Sequence, residues 1–90
     1  MSYDPAKQKL NLRKHGIDLA ECDDVFDEPM LTREDDRETY GEQRLISLAR
    51  LKNRVVVLVW TDRDEEPYFI SCREAETHEQ EAYFLAFPKA

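Results

Sequence analysis

Glycine is almost missing from this chain: Gly16 and Gly41 are the only two among 90 residues. That scarcity excludes a glycine-rich phosphate loop and a dinucleotide fingerprint, both of which need several glycines so that backbone can approach a phosphate. Cysteine is equally sparse. Cys22 and Cys72 lie in separate segments without metal-ligand spacing and read as reduced, packed thiols, as expected in a cytoplasmic protein. Long apolar runs are absent too. The longest covers residues 55–60, far short of the about 18 residues that a membrane span requires. The first 15 residues carry charges where a secretory signal would place an apolar core. Positive charge is in the minority, 13 Lys and Arg against 20 Asp and Glu for a net of −7, which argues against indiscriminate affinity for nucleic acid. No repeat, linker or low-complexity tract interrupts the chain, so residues 1–90 read as one domain.

What is present begins with residues 55–60, Val-Val-Val-Leu-Val-Trp, six apolar residues without a polar interruption. A strand with one wet face would alternate; this run predicts a strand covered on both faces. Around it, Asp4-Pro5 predicts a helix start and Gly16 its stop, with Ala6, Leu10 and the flanking Tyr3 and Ile17 as a thin apolar side. Asp18 predicts the cap of a second short helix reaching about Val25-Phe26, ended by Pro29. A short edge strand is expected near 30–33, then an exposed loop to Gly41. Residues 44–51 read as a strand joined to the apolar run by the turn Lys52-Asn53. Residues 62–67 form the next turn, 68–72 the next strand, and a helix from about 75 to 87 closes the chain. The expected fold is a small α+β domain: an antiparallel sheet of three to four strands with N-terminal helices and a C-terminal helix.

Charge is unevenly divided. Residues 1–15 hold Lys7, Lys9, Arg13 and Lys14 against Asp4 alone, a net of +3, while the remainder carries a net of −10. Basic groups on an acidic body can still gather into a phosphate site, and the acidic exterior suits a basic protein partner. Lys14-His15 at a helix end pairs a phosphate contact with a proton-transfer group, although the same pair also serves as an exposed helix cap. Arg44, Arg63 and Arg73 each sit at the edge of an expected strand. In a meander they can converge on one end or face of the sheet, where three guanidinium forks suit a phosphodiester transition state; surface pairing with carboxylates is the ordinary use of such residues. His78, Glu79 and Tyr83 lie on the last helix, where Glu79 and Tyr83 share a face. The tyrosine can contact phosphate or stack on a base, or pack half-buried. The acidic clusters 23–27 and 34–36 lack the alternating loop of a calcium site and read as solvated faces. No metal or cofactor is expected.

Taken in order, Asp4-Pro5-x-Lys7, Asn11-x-x-Lys14-His15-Gly16 and Val25-Phe26-Asp27 resemble the N-terminal signature of BrnT-type toxins. Gly41-Glu42-x-Arg44, Thr61-x-Arg63, Ile70-Ser71-x-Arg73-x-Ala75, Glu79 and Tyr83 continue the likeness over nearly the whole chain. The resemblance implies a RelE-like fold and a metal-independent ribonuclease acting on RNA. It implies a cognate antitoxin with a ribbon-helix-helix DNA-binding region, so that operator DNA is reached only through the antitoxin. Carried over by position, His15, Arg63, Arg73 and Tyr83 are the catalytic candidates and Lys14, Arg44 and Glu79 bind substrate. His15 is the proton-transfer candidate, Arg63 and Arg73 hold the phosphate, and Tyr83 positions or stacks. Three features depart from the pattern: Glu74 follows Arg73, Tyr68-Phe69 precede Ile70, and the last helix is acidic at Glu76, Glu79 and Glu81. Carboxylates beside an RNA site repel phosphate, so a second function stays open, a binding module that keeps the fold as an antitoxin or co-repressor partner without cleaving RNA.

Overall fold

The structure, a computed structural model, describes residues 2–89. In chain order they form β1 (Ser2–Tyr3), α1 (Pro5–His15), a 3-10 helix (Leu19–Asp27), β2 (Leu31–Asp35), β3 (Arg44–Leu51), β4 (Arg54–Arg63), β5 (Glu66–Glu74) and α2 (Thr77–Ala86). The strands make one five-stranded sheet in the order β1-β5-β4-β3-β2. This is α+β as expected, but with five strands in place of three or four. The additional one is β1, which runs parallel to β5 by pairing Ser2 with Tyr68 and Tyr3 with Phe69. Two residues are too few to display a period of two, so no pattern announces it.

The β2 to β5 meander follows from the turns. Lys52 and the pair Asp64-Glu65 adopt φ values of 57°, 52° and 64°, the left-handed backbone that a tight hairpin needs to match strand twist. Along β4 the side chains divide between two covered faces, as its unbroken apolar run requires. Val56 and Leu58, with Ala49, Leu51, Phe69 and Cys72, pack against Ile17, Leu19, Cys22 and Val25 from the segment after α1. Val55 and Val57, with Ile46, Ala75 and Tyr83, form a second cluster beneath α2.

The two faces are covered unequally. On the first, α1 is capped at Asp4, whose carboxylate accepts from the Ala6 N–H at 2.9 Å, and stops at Gly16, with φ of 71°. Of the expected apolar side of this helix, the flanking Ile17 is buried and Tyr3 packs against the core, but Ala6 and Leu10 are exposed. Leu10 and Leu12 are 54% and 50% exposed, and the buried residue is Asn11. Its amide donates to the carbonyls of Ile17 (2.8 Å) and Cys72 (2.9 Å), and its oxygen accepts from the Cys72 N–H (2.9 Å). β1 ends beside Phe69, so the outer edge of β5 beyond it has unpaired backbone; Asn11 supplies the missing partner. On the second face α2 buries only Tyr83, and Leu85 is 85% exposed. Glu76 and Glu79 cap its first turn reciprocally. A trough remains open between α2 and the sheet.

Candidate active site

Register places the side chains of the second face in levels. Leu31, Leu48, Val57 and Arg73 are aligned across β2, β3, β4 and β5. Arg33, Ile46, Val59 and Ser71 form the next level. Beyond it lie Asp35 beside Arg44 and Thr61 beside Tyr68. Between the second and third levels a β-bulge shifts the pairing: Val59 faces Ser71 but Trp60 faces Phe69, which leaves Ile70 unpaired. Bulges bend a strand and re-aim its side chains, and are common beside active sites.

The first two levels floor a cavity of about 530 Å³. Ile46, Leu48, Val57 and Val59 make its apolar base, and His15, Arg33, Arg37, Ser71, Arg73, His78 and Glu79 bring polar groups to it. Three predicted site residues from distant parts of the chain, His15, Arg73 and Glu79, therefore meet here. Arg73 and Glu79 are joined by two parallel hydrogen bonds, Nη1 to Oε1 at 2.8 Å and Nη2 to Oε2 at 2.9 Å. The same Glu79 carboxylate accepts the Glu76 N–H at 2.8 Å. The Arg73 fork, helped by that N–H, holds the Glu79 carboxyl down at about 2. Across the cavity Arg37 forks onto Asp35 at 2.7 and 2.8 Å, and Tyr40 also donates to Asp35.

The remaining predicted residues lie elsewhere. Arg44 and Arg63 are on the same face as Arg73, but Arg44 sits at the level of Thr61, four residues along β4 from Val57 and hence about 13 Å away at strand rise. Arg44 lies over the Tyr40 ring at 4.0 Å and Arg63 over the Tyr68 ring at 3.8 Å. Arg63 also forks onto Glu42 at 2.8 and 3.2 Å. The Arg44 Nε is buried with no hydrogen-bond partner. The expected trio of guanidiniums thus shares one face but divides between two stations. Lys14 lines a second, smaller cavity. Tyr83 is corrected from a substrate contact to a core residue. Its ring is fully buried against Phe84 and Phe87, and its hydroxyl donates to the Pro29 carbonyl at 2.8 Å. Burial also pushes this phenol above its ordinary value, so it stays a donor.

Arg33, Arg37 and Ser71 line the cavity without having been singled out in the sequence, and His78, noted there beside Glu79 and Tyr83 on the last helix but given no role, joins them. Their signal is positional: once β2 pairs with β3, Arg33 alternates onto the Ile46 face, and His78 is one residue from Glu79. Among the described residues no three His, Cys, Asp or Glu side chains are grouped so as to hold a metal ion. No helix is long and apolar enough to cross a membrane.

The electrostatics are selective. Of 20 carboxylate side chains in the chain, Glu79 alone among the described residues lines either cavity. An acidic protein has kept one cleft nearly clear of its own charge and bordered it with two imidazoles and three guanidiniums, groups suited to proton transfer and phosphate. No curated protein matches the chain. A family model described as the ribonuclease toxin BrnT of type II toxin-antitoxin systems matches residues 3–79. With cleft and sequence match on the same stretch, the chain belongs to the BrnT family of ribonuclease toxins, whose members act within toxin-antitoxin pairs.

Proposed function

We propose that this chain cleaves single-stranded RNA without a metal ion, by attack of a ribose 2′-hydroxyl on the adjacent phosphate in the cleft between the sheet and α2. A base removes the 2′-hydroxyl proton as the O2′–P bond forms. The P–O5′ bond breaks, and an acid protonates the departing 5′-oxygen, leaving a 2′,3′-cyclic phosphate and a 5′-hydroxyl. His15 and His78 both border the cavity, and imidazole is the side chain that exchanges protons near neutral pH. Arg73 faces the developing phosphoryl charge, oriented by Glu79. Arg33 enters from the opposite edge of the sheet, three strand spacings or about 14 Å across, so a nucleotide fits between them. Lys14, Arg44 and Arg63 contact flanking nucleotides, the two arginines presenting guanidinium planes already stacked on tyrosines.

The observation that carries this reading is the near-exclusion of carboxylates from a cleft bordered by two histidines and three arginines. The cognate partner is an antitoxin with a ribbon-helix-helix region, through which alone the pair reaches operator DNA, and the site of action is the cytoplasm. A second reading has its own support: Arg73 and Arg63 are each neutralised by a bidentate carboxylate, which suits a module that keeps antitoxin binding and has lost cleavage.

Purified protein incubated with labelled RNA in EDTA separates them. The ribonuclease reading expects cleavage that falls by about 100-fold or more in Arg73→Ala and in His15→Asn, with both variants folded by circular dichroism. Intact RNA with the wild-type chain would favour the binding module, and cleavage undiminished in both variants would overturn the roles given to Arg73 and His15.

A further inference from the structure

We propose that a second groove, on the α1 side of β5, binds the RNA backbone next to the scissile nucleotide, with Lys7 and Lys14 as its phosphate contacts. The proposal extends the ribonuclease reading by assigning where the strand leaves the cleft. The groove has a volume of about 180 Å³ and is lined by Lys7, Leu10, Asn11, Lys14, His15, Ile70 and Ser71. His15 and Ser71 also line the larger cavity, so the two hollows share a wall. A chain lying in the cleft passes from one to the other across His15.

Three features build this groove. Lys7, Leu10, Asn11 and Lys14 recur at the spacing of one helix face. Lys7 and Lys14 are seven residues apart, about 10 Å along the axis, which leaves room for consecutive phosphates. Asn11, between them, pins that face to the edge of β5. The bulge then places Ile70, free of a ladder partner, and Ser71 side by side on the opposite wall.

Charge points to the ligand. Every ion pair among the described residues takes its cation from outside α1, namely Arg37, Lys52, Arg54, Arg63 and Arg73. Lys7 and Lys14 therefore line the groove without a carboxylate partner among the described residues, in a chain of net charge −7. The carbonyl end of α1 would repel a phosphate, but Arg13, Lys14 and His15 occupy that last turn and offset it. The exposed Leu10 between the lysines offers an apolar surface to a base or ribose. A flexible polyanion with apolar bases, single-stranded RNA, matches this arrangement.

The test is binding of a fluorescent single-stranded RNA carrying 2′-O-methyl groups, which cannot be cleaved, followed by anisotropy over a range of salt. The double variant Lys7→Gln/Lys14→Gln should bind more weakly, and its plot of log affinity against log salt should be shallower by about 1.4, or about 0.7 for each phosphate that no longer meets a lysine. Lys9→Gln removes the same charge from the same helix outside the groove and should leave the slope alone. Equal slopes for the wild type, the double variant and Lys9→Gln, or no RNA binding by the wild type, would overturn the proposal. Cleavage of unmodified RNA is scored separately. Lysine-dependent binding without cleavage sinks the ribonuclease reading and keeps the groove; cleavage with an indifferent slope does the reverse.

Discussion

Asn11 shows how much one side chain can hold in place. It satisfies both backbone groups of Cys72 and the carbonyl of Ile17 from a buried position. Truncation leaves three buried groups without partners, each costing about 1–3 kcal/mol. Asn11→Ala should therefore lower stability by about 3 kcal/mol or more, read as a reduced urea midpoint with little change in the slope of the transition. Hydropathy points at Leu10 and misses Asn11, because amide pairing with a strand edge leaves no trace in apolar periodicity. Tyr83 is misleading for a related reason: a tyrosine with a polar tip and one that donates to a backbone carbonyl in the core look the same as letters. His15, Arg73 and Glu79 are legible because each combines a chemically specific group with a clear element boundary. Cys22 and Cys72 are legible as packed thiols. Each is fully buried, and the neighbouring Cys72 thiol together with burial pushes Cys22 up, away from thiolate reactivity.

Elements are easiest to read where turns are short. Lys52-Asn53 does join β3 to β4, and the apolar run does become the central covered strand. Helix limits agree within two residues for α2, expected over about 75–87 and found at Thr77–Ala86. β1 escapes notice because it is held by two backbone pairings and not by side-chain pattern. The β4–β5 turn carries a local cost: Asp64 and Glu65 both sit at positive φ, 52° and 64°, where a side chain crowds its own backbone. Asparagine and glycine are the residues that accept this geometry. Asp64→Asn/Glu65→Gly should stabilise the fold by about 1 kcal/mol, seen as a higher midpoint in thermal unfolding. The turn is remote from the cleft, so a rise in stability reports on the hairpin alone.

At the scale of the whole molecule, an excess of carboxylates makes acid the condition to examine. The Arg73 fork holds Glu79 at about 2, against an ordinary value of 4.5. Asp35, bonded by Arg37, is likewise held at about 2. Both groups have folded values below their unfolded ones, so their contribution is complete above about pH 4.5 and fades as pH falls toward 2. Acid unfolding followed by circular dichroism should steepen across that window, and Glu79→Gln should flatten part of it. An unchanged acid profile in this variant would mean that the clasp adds nothing to stability. The distribution of charge is legible at this scale, since residues 1–15 read as a basic segment, which sends His15 to the cleft and lines the groove beside it with Lys7 and Lys14. Its convergence with Arg73 is not, because that depends on Asn11 reaching a residue 61 positions away. The same long reach has a consequence for how the protein is made. His15 comes early in synthesis, whereas Cys72, Arg73 and Glu79 come late, and α1 has no partner edge until β5 exists. A growing polypeptide therefore carries no assembled cleft until β5 and α2 have been made. Whatever hazard the folded molecule poses to RNA is delayed until β5 and α2 have emerged, which leaves an interval in which an inhibitor made alongside it can be waiting.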